Sequence, residues 1–301
     1  MLMMVSKNHK NIIEITRRNY VMVTGSLKNS VDKIWEIFWT GGITNPLSVI
    51  EQFTYLLFIK NLDDKQLAEE ENAEILGIEP NRIFPEDMEN LRWHNFKQLH
   101  ANAMFEVVSK EVFPFIKNMH GDKNSAFAKY MDDAIFMIPS PQMLEKIVTN
   151  IDNLPLNEGT DANGDLYEYL LSKVSTAGTN GQFRTPRHII DLMVALTKPT
   201  PNDYIIDPAA GTAGFLVSAG EYLTKNHEEI FQDKTLKEHY HKAMFWGNDM
   251  DRTMLRIGAM NMMMHGVDNP NIEYRDSLAE INKDKEQYTL VLANPPISII
   301  Q

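Results

Sequence analysis

The run Asp207-Pro208-Ala209-Ala210-Gly211-Thr212-Ala213-Gly214 follows a short apolar stretch, Tyr204-Ile205-Ile206, and leads into a helical pattern reaching about Leu223. Strand, tight glycine turn and helix in that order open a Rossmann-like unit. Gly211 and Gly214 let the backbone approach a ligand where a Cβ would obstruct it. The segment lacks the lysine and the serine or threonine of a phosphate-binding P-loop, which argues against ATP or GTP hydrolysis here. An acid at position 207 sits poorly beside a pyrophosphate and suits the cationic, amino-acid end of a methyl donor. Taken alone the turn is a weak signal, because several nucleotide cofactors use one like it and an ordinary strand-to-helix turn reads the same way.

Three further acids and an asparagine fall where later strands of such a unit end. Met244-Phe245-Trp246 reads as the second strand, and Asp249 at its tip can accept bonds from both hydroxyls of a ribose. Asp251 is placed to cap the next helix, which runs from about Arg252 to His265, with His265 a capping or structural residue. Asn271–Tyr274 is a third strand candidate with Asp276 just past its end, in reach of an adenine ring or, equally, capping a turn. The uncharged run from Tyr288 to Ala293 reads as a strand buried on both faces. It delivers Asn294-Pro295-Pro296 to the carboxyl edge, where sheets of this kind bind ligands.

The elements that must position these residues are legible by period and punctuation. Thr185-Pro186 reads as a hydroxyl N-cap followed by proline at the first helical position, with Ile189, Leu192, Met193 and Leu196 marking the apolar face of that helix. Upstream, Ile34, Trp35, Phe38 and Trp39 lie on one helical face that Gly41-Gly42 ends. Trp35, Trp39 and Phe53 have the spacing of packing residues. A second helix is expected from about Pro46 to Lys60, apolar over so wide a surface that it belongs inside a bundle. Asn61 to Glu71 is charged and reads as solvated helix or loop. A helical pattern covers Ala103–Ile116, where Pro114 is expected to bend or end it, and another covers Met143–Val148. No useful strand alternation precedes residue 150, and polar, glycine-containing tracts at 157–164 and 175–181 mark a change of domain.

Composition bounds what the chain does. At 301 residues it is long enough for two modest domains, and 43% apolar content excludes global disorder. It has no cysteine, which excludes disulfides, thiolate metal sites and a cysteine nucleophile and fits a reducing cytoplasm. No secretory signal and no run of membrane-spanning length is present, so a soluble cytoplasmic protein is expected. The net charge is −12; residues 1–150 hold 20 acidic and 16 basic side chains, residues 151–301 hold 21 and 13. The candidate site thus lies in the more acidic half. A free-standing nucleic-acid binder is disfavoured, and any DNA contact requires a local patch or a basic partner.

Gly181-Gln182-Phe183-Arg184-Thr185-Pro186, Asp207 through Leu216, and Asn294-Pro295-Pro296, in that order and spacing, resemble the DNA amino-methyltransferases. The similarity is greatest to the modification subunits of type I restriction-modification systems. Met260-Asn261-Met262-Met263-Met264-His265-Gly266 also resembles that family's segment after its second strand, and the likeness spans about residues 30–300. The fold it implies is α/β: a helical amino-terminal domain, residues 1–165, then an incomplete Rossmann-like S-adenosylmethionine-dependent methyltransferase domain, residues 166–301. It places Phe183, Thr185 and Pro186 near the methionine part of S-adenosylmethionine, Asp207, Gly211 and Gly214 in the donor loop, Asp249 on the ribose and Asp276 near the donor adenine. It makes Asn294, Pro295, Pro296 and the following Ile297 the catalytic segment.

The chemistry implied is transfer of a methyl group to adenine N6 in DNA. The base leaves the stack, and its amine is activated by acceptors on Asn294 and on the Pro295 carbonyl, with no metal and no covalent intermediate. Cytosine N4 is the neighbouring possibility. The implied partners are double-stranded DNA reached through a complex, a specificity subunit, a second modification subunit and a nuclease/translocase subunit. Two positions depart from the family pattern. Asp249 stands where glutamate is commoner, and Ile297 stands where an aromatic residue would stack on the flipped base, a contact worth roughly 1–3 kcal/mol. The family's sheet also has more strands than those encoded before Gln301. The expectation is therefore a donor pocket with weak or no methyl transfer by this chain alone, and the alternative is a non-catalytic assembly or interaction fragment.

Overall fold

The structure is a computed structural model, and it describes residues 25–119, 126–154, 166, 169, 170, 173, 185–280, 282 and 286–294. These fall into two compact units, one within Val23–Gly178 and one within Thr179–Gln301. Phe183, Pro295, Pro296 and Ile297 lie outside the described residues. No helix among the described residues is long and apolar enough to cross a membrane.

The first unit is helical. Helix α1, Gly25–Thr40, buries Val31, Ile34 and Phe38. Trp39, expected in the core, is 47% exposed, because a residue one step past Phe38 turns about a quarter of the way round the helix from the buried stripe. Phe53 is fully buried and Trp35 half-buried. Helix α2, Pro46–Leu76, starts on Asn45, whose side chain accepts the Leu47 N–H, and stops at Gly77 in the left-handed region with φ +65°. It continues through the charged stretch 61–71, whose apolar Leu62 stays buried, as does Ala73 just beyond it, while most of the acids face out.

Pro114 does not end its helix. Helix α3, Ala101–Val107, passes through a π-turn at Val108–Val112 into α4, Phe113–Asn118, with the proline at the first turn of α4. A wide turn immediately upstream absorbs the missing N–H and the clash that would otherwise break the element. Helix α5, Pro141–Asp152, is capped by Ser140 and packs on α1, burying Leu144, Ile147 and Ile151.

The second unit is a parallel α/β layer. Four strands, β1 Ile205–Asp207, β2 Phe245–Asp249, β3 Asn271–Tyr274 and β4 Leu290–Val291, lie in the order β3-β2-β1-β4. Asp207 stands opposite Gly247, and Asp249 opposite Tyr274. The order reverses at β1, so ligands are expected outside the carboxyl ends of β1 and the strands beside it. Helices α6, Arg187–Thr197, α7, Gly214–Asn226, α8, Lys234–Lys242, and α9, Arg252–Met264, accompany the sheet.

Helix α6 buries Ile190 and Val194, while Ile189 and Leu196 are exposed, because the helix is apolar over most of its girth and its contact with α7 selects the face. β4 is two residues long, and Val291 is 59% exposed, so it is not buried on both faces. Among the described residues it pairs only with β1, at Ile205↔Leu290 and Ile206↔Val291.

Candidate active site

The loop from Asp207 to Gly214 is built from backbone conformations that ordinary residues avoid. Gly211 has φ +51° and Ala213 φ +62°, both left-handed. A Cβ added to Gly211 would meet nothing within 4 Å, so its α-carbon faces open space. At Gly214 an added Cβ would stand 3.3 Å from Ile190 Cδ1, which seats the start of α7 close against α6. Gly247, on β2 opposite Asp207, is required by closer packing still, with a Cβ there 2.9 Å from both Ala210 Cβ and Ile272 Cδ1.

Asp207 is 2% exposed, and its Oδ1 accepts the Ala209 N–H at 3.0 Å. Burial pushes its carboxyl up to about 7; the Ala209 N–H opposes this and the negative charge of Asp249 adds to it. A neighbouring cation would favour the ionised form.

Asp249 does more than the sequence suggested. Its Oδ2 accepts the Gly211 N–H at 2.8 Å and its Oδ1 accepts the Asp251 N–H at 2.9 Å. It therefore fastens the glycine loop after β1 to the tip of the second strand, leaving one lone pair on each oxygen for a ligand. Ala210 N–H adds a bond to the Asn248 carbonyl at 2.8 Å. Asp251 caps α9 as expected, accepting from Thr253 and Met254. His265 ends that helix with its Nδ1 2.8 Å from the Asn261 carbonyl oxygen.

Asp276 lies two residues past β3, exposed, with its Oδ1 accepting the Leu278 N–H at 2.9 Å. It closes a turn at the same edge of the sheet as Asp249. The neighbouring Ser277 was not singled out from sequence. Its hydroxyl donates to the Pro208 carbonyl at 2.6 Å and accepts from buried Asn248 Nδ2 at 3.3 Å, tying the loop after β3 to the loop after β1. A lone serine in a polar loop carries no signal that would have revealed this.

The two remaining segments meet. Helix α6 begins at Arg187 with Pro186 as the cap residue and no side-chain capping bond, so the expected Thr185 cap is absent. The backbone at Pro186, φ −56° and ψ 138°, makes proline itself the flanking residue. The Thr185 hydroxyl is instead 2.8 Å from Asn294 Nδ2, which donates to it across 109 residues. Asn294 is exposed, just past β4. Of the described candidates, Gly211 and Asp249 are bonded directly, Asp207 joins them through the loop backbone and the charge of Asp249, Gly214 opens the helix behind the loop, and Thr185 and Asn294 form a second contact. Pro186 flanks the start of α6 as its cap residue, without a side-chain capping bond.

The chain matches the N-6 DNA Methylase family over residues 158–300 and the HsdM N-terminal domain over residues 27–151. It is 26% identical over 266 residues to the type I restriction enzyme EcoEI methylase subunit of Escherichia coli, covering 85% of this chain and 52% of that protein. It is likewise 26% identical over 284 residues to the EcoKI methylase subunit of Escherichia coli K12, covering 88% and 50%. The fold resembles the crystal structure of a modification subunit of a putative type I restriction enzyme from Vibrio vulnificus YJ016, with a TM-score of 0.73, 22% identity, and coverage of 90% of this chain and 60% of that one. The chain spans about half the length of the curated relatives it matches.

Proposed function

Starting from a chain that belongs to the type I restriction-modification methylase-subunit family and carries its N6 adenine DNA methyltransferase region, we propose that the crevice at β1 and β2 binds S-adenosylmethionine for methyl transfer to adenine N6 in DNA. The observation that carries this reading is the Asp207–Gly211–Asp249 network. It combines a buried acid whose ionisation a cation would favour, an open glycine turn, and a carboxylate with free lone pairs. These features fit an adenosyl sulfonium that ends in an amino acid. When bound, that group supplies an electrophilic methyl. Asp207 would balance positive charge, Asp249 would receive ribose hydroxyls, Asp276 would lie toward the adenine, and Phe183, Pro186 and Gly214 would frame the methionine end, while Thr185 acts through Asn294.

Asn294 is the group we assign to the target amine. Its Nδ2 is engaged by Thr185, so its Oδ1 is the atom left to accept an N–H from the extruded base. The adjoining Pro295 carbonyl accepts the other N–H, and Pro296 stiffens the turn. Ile297 offers apolar contact without a π-face, which supports weak target binding and hence impaired transfer by this polypeptide alone. The acidic charge of the chain supports DNA contact within a complex, where a specificity subunit, a second modification subunit and a nuclease/translocase subunit share the work.

Titration of the 301-residue chain with S-adenosylmethionine, followed by mass analysis of adenine-containing DNA incubated with both, tests the reading. Saturable donor binding supports it, with N6-methyladenine formed weakly by the chain alone and more fully when the complementary carboxyl-terminal region of a relative is added, and absence of donor binding overturns it. Donor binding without turnover, even when the complementary carboxyl-terminal region of a relative is added, supports instead a non-catalytic assembly role.

A further inference from the structure

The glycine loop contains two left-handed residues, and such a shape persists only where its surroundings hold it. Asp249 and Asn248 hold its amino-terminal part from β2. Its apex, Thr212, is held by a different element. Asn261, 1% exposed and one turn from the end of α9, donates from Nδ2 to the Thr212 carbonyl at 2.8 Å. Gly258, three residues earlier on the same helix face, lets α9 reach the loop: an added Cβ would lie 3.0 Å from the Gly211 carbonyl oxygen and 3.4 Å from the Thr212 carbonyl carbon.

The Asn261 side chain is poorly served as a core residue. Its Oδ1 is buried and accepts no hydrogen bond among the described residues. An apolar side chain of similar volume would fill the position without stranding an acceptor, so packing does not account for asparagine here. The Thr212 carbonyl does account for it, since only a side-chain donor at this point can hold it.

We infer that Gly258 and Asn261 form a seat on α9 that sets the shape of the donor loop, and that Asn261 is a positioning residue for donor affinity although it lies beneath the loop. The inference rests on the reading of the crevice as a donor site. The seat couples the two halves of the crevice: α9 follows directly from the strand that ends in Asp249, so the acid and the loop apex are set by one continuous stretch, residues 245–261.

The test compares Asn261→Leu, Asn261→Asp and Gly258→Ala with the parent 301-residue chain. Far-UV circular dichroism and thermal melting report the fold, hydrogen exchange reports the Gly211–Gly214 amides, and calorimetric titration with S-adenosylmethionine reports affinity. Asn261→Leu is expected to melt at or above the parent temperature, yet to show faster exchange in the loop and a donor Kd raised roughly tenfold. Asn261→Asp, which sets two acceptors against each other, raises Kd further. Gly258→Ala keeps the bond but shifts the loop, and raises Kd at unchanged loop protection. Parent-like Kd and loop exchange in folded Asn261→Leu and Gly258→Ala would overturn the seat. A parent chain that binds no donor refutes the donor reading instead, while loop exchange in the Leu variant still decides whether Asn261 holds Thr212.

Discussion

Asn294 and Thr185 are joined side chain to side chain at 2.8 Å, although one lies just past β4 and the other just before α6. The bond consumes an amide N–H and so dictates which end of the Asn294 amide is offered to a substrate. Replacing Thr185 by valine keeps its shape and removes the hydroxyl. In the assembly that carries methyl-transfer activity, we expect Thr185→Val to lower single-turnover transfer about tenfold, the equivalent of one hydrogen bond of about 1.4 kcal/mol. Donor Kd should stay near the parent value, and serine at 185 should restore the rate. A valine variant that loses donor affinity at unchanged rate would return Thr185 to the methionine end of the donor.

If the crevice holds the donor, Asp207 should make its binding proton-linked. Its carboxyl is raised from the usual carboxylate range to about 7 in the folded protein, so between roughly pH 4 and pH 7 the folded state holds a proton that the unfolded chain has released. Stability contributed at this site is full at low pH, falls as pH rises through that window, and is constant above it. Asp207→Asn should flatten this part of the melting temperature against pH profile. Binding of a cationic donor favours the carboxylate, so calorimetry at about pH 6.5, inside that window, in two buffers of different ionisation enthalpy should detect proton release from the parent and none from the Asp207→Asn variant.

How far the sequence disclosed all this depended on the kind of constraint. Glycine turns and helix caps are local, so the Asp207–Gly214 loop, the Asp251 cap and strand 271–274 were legible as written. The helical first half was legible by period alone. Which face of α6 is buried was not, because Ile189, Ile190, Leu192, Met193 and Val194 offer apolar surface in nearly every direction and only the neighbouring helix chooses among them. Thr185 obeyed the local rule for a cap and then satisfied a partner 109 residues away, a choice that no window of sequence contains. The bonds of Ser277 and Asn248 belong to the same long-range class.

Close packing at Gly247 gives a stability prediction that is independent of ligand. A methyl group there would stand 2.9 Å from Ala210 Cβ and Ile272 Cδ1 and 3.2 Å from Leu216 Cδ1, in a strand with neighbours on both sides. Gly247→Ala should cost about 1–3 kcal/mol in urea unfolding of the α/β unit. A neutral effect would mean that β2 and β3 separate more easily than their register implies.

The helical unit holds a buried ion cluster that can be tested by itself. Arg92, 4% exposed, donates to Asp63 at 2.7 Å and to both oxygens of Glu70 at 2.9 Å, and Asp63 also accepts the His94 N–H. Burial pushes the Asp63 carboxyl up, but Arg92 and His94 hold it below the usual range. Arg92→Met strands a buried carboxylate and should destabilise the unit by about 3–5 kcal/mol, with lysine restoring only part because it lacks the planar fork. The Met variant should also lose less stability than the parent as pH falls through the ordinary carboxylate range, since its Asp63 no longer gains from being charged. Equal acid sensitivity would show that Arg92 does not set that ionisation.

The loop between β1 and α7 meets Asn248, Asp249 and the end of α9 through three separate backbone atoms, of Ala210, Gly211 and Thr212. Its conformational freedom is thus surrendered during folding, not during encounter with a ligand. The calorimetric signature follows. Association at this crevice should show a small entropic penalty and a heat-capacity change no larger than the apolar area covered requires, the mark of a receptor already shaped. A large negative heat-capacity change would instead place the ordering of further chain at the moment of binding.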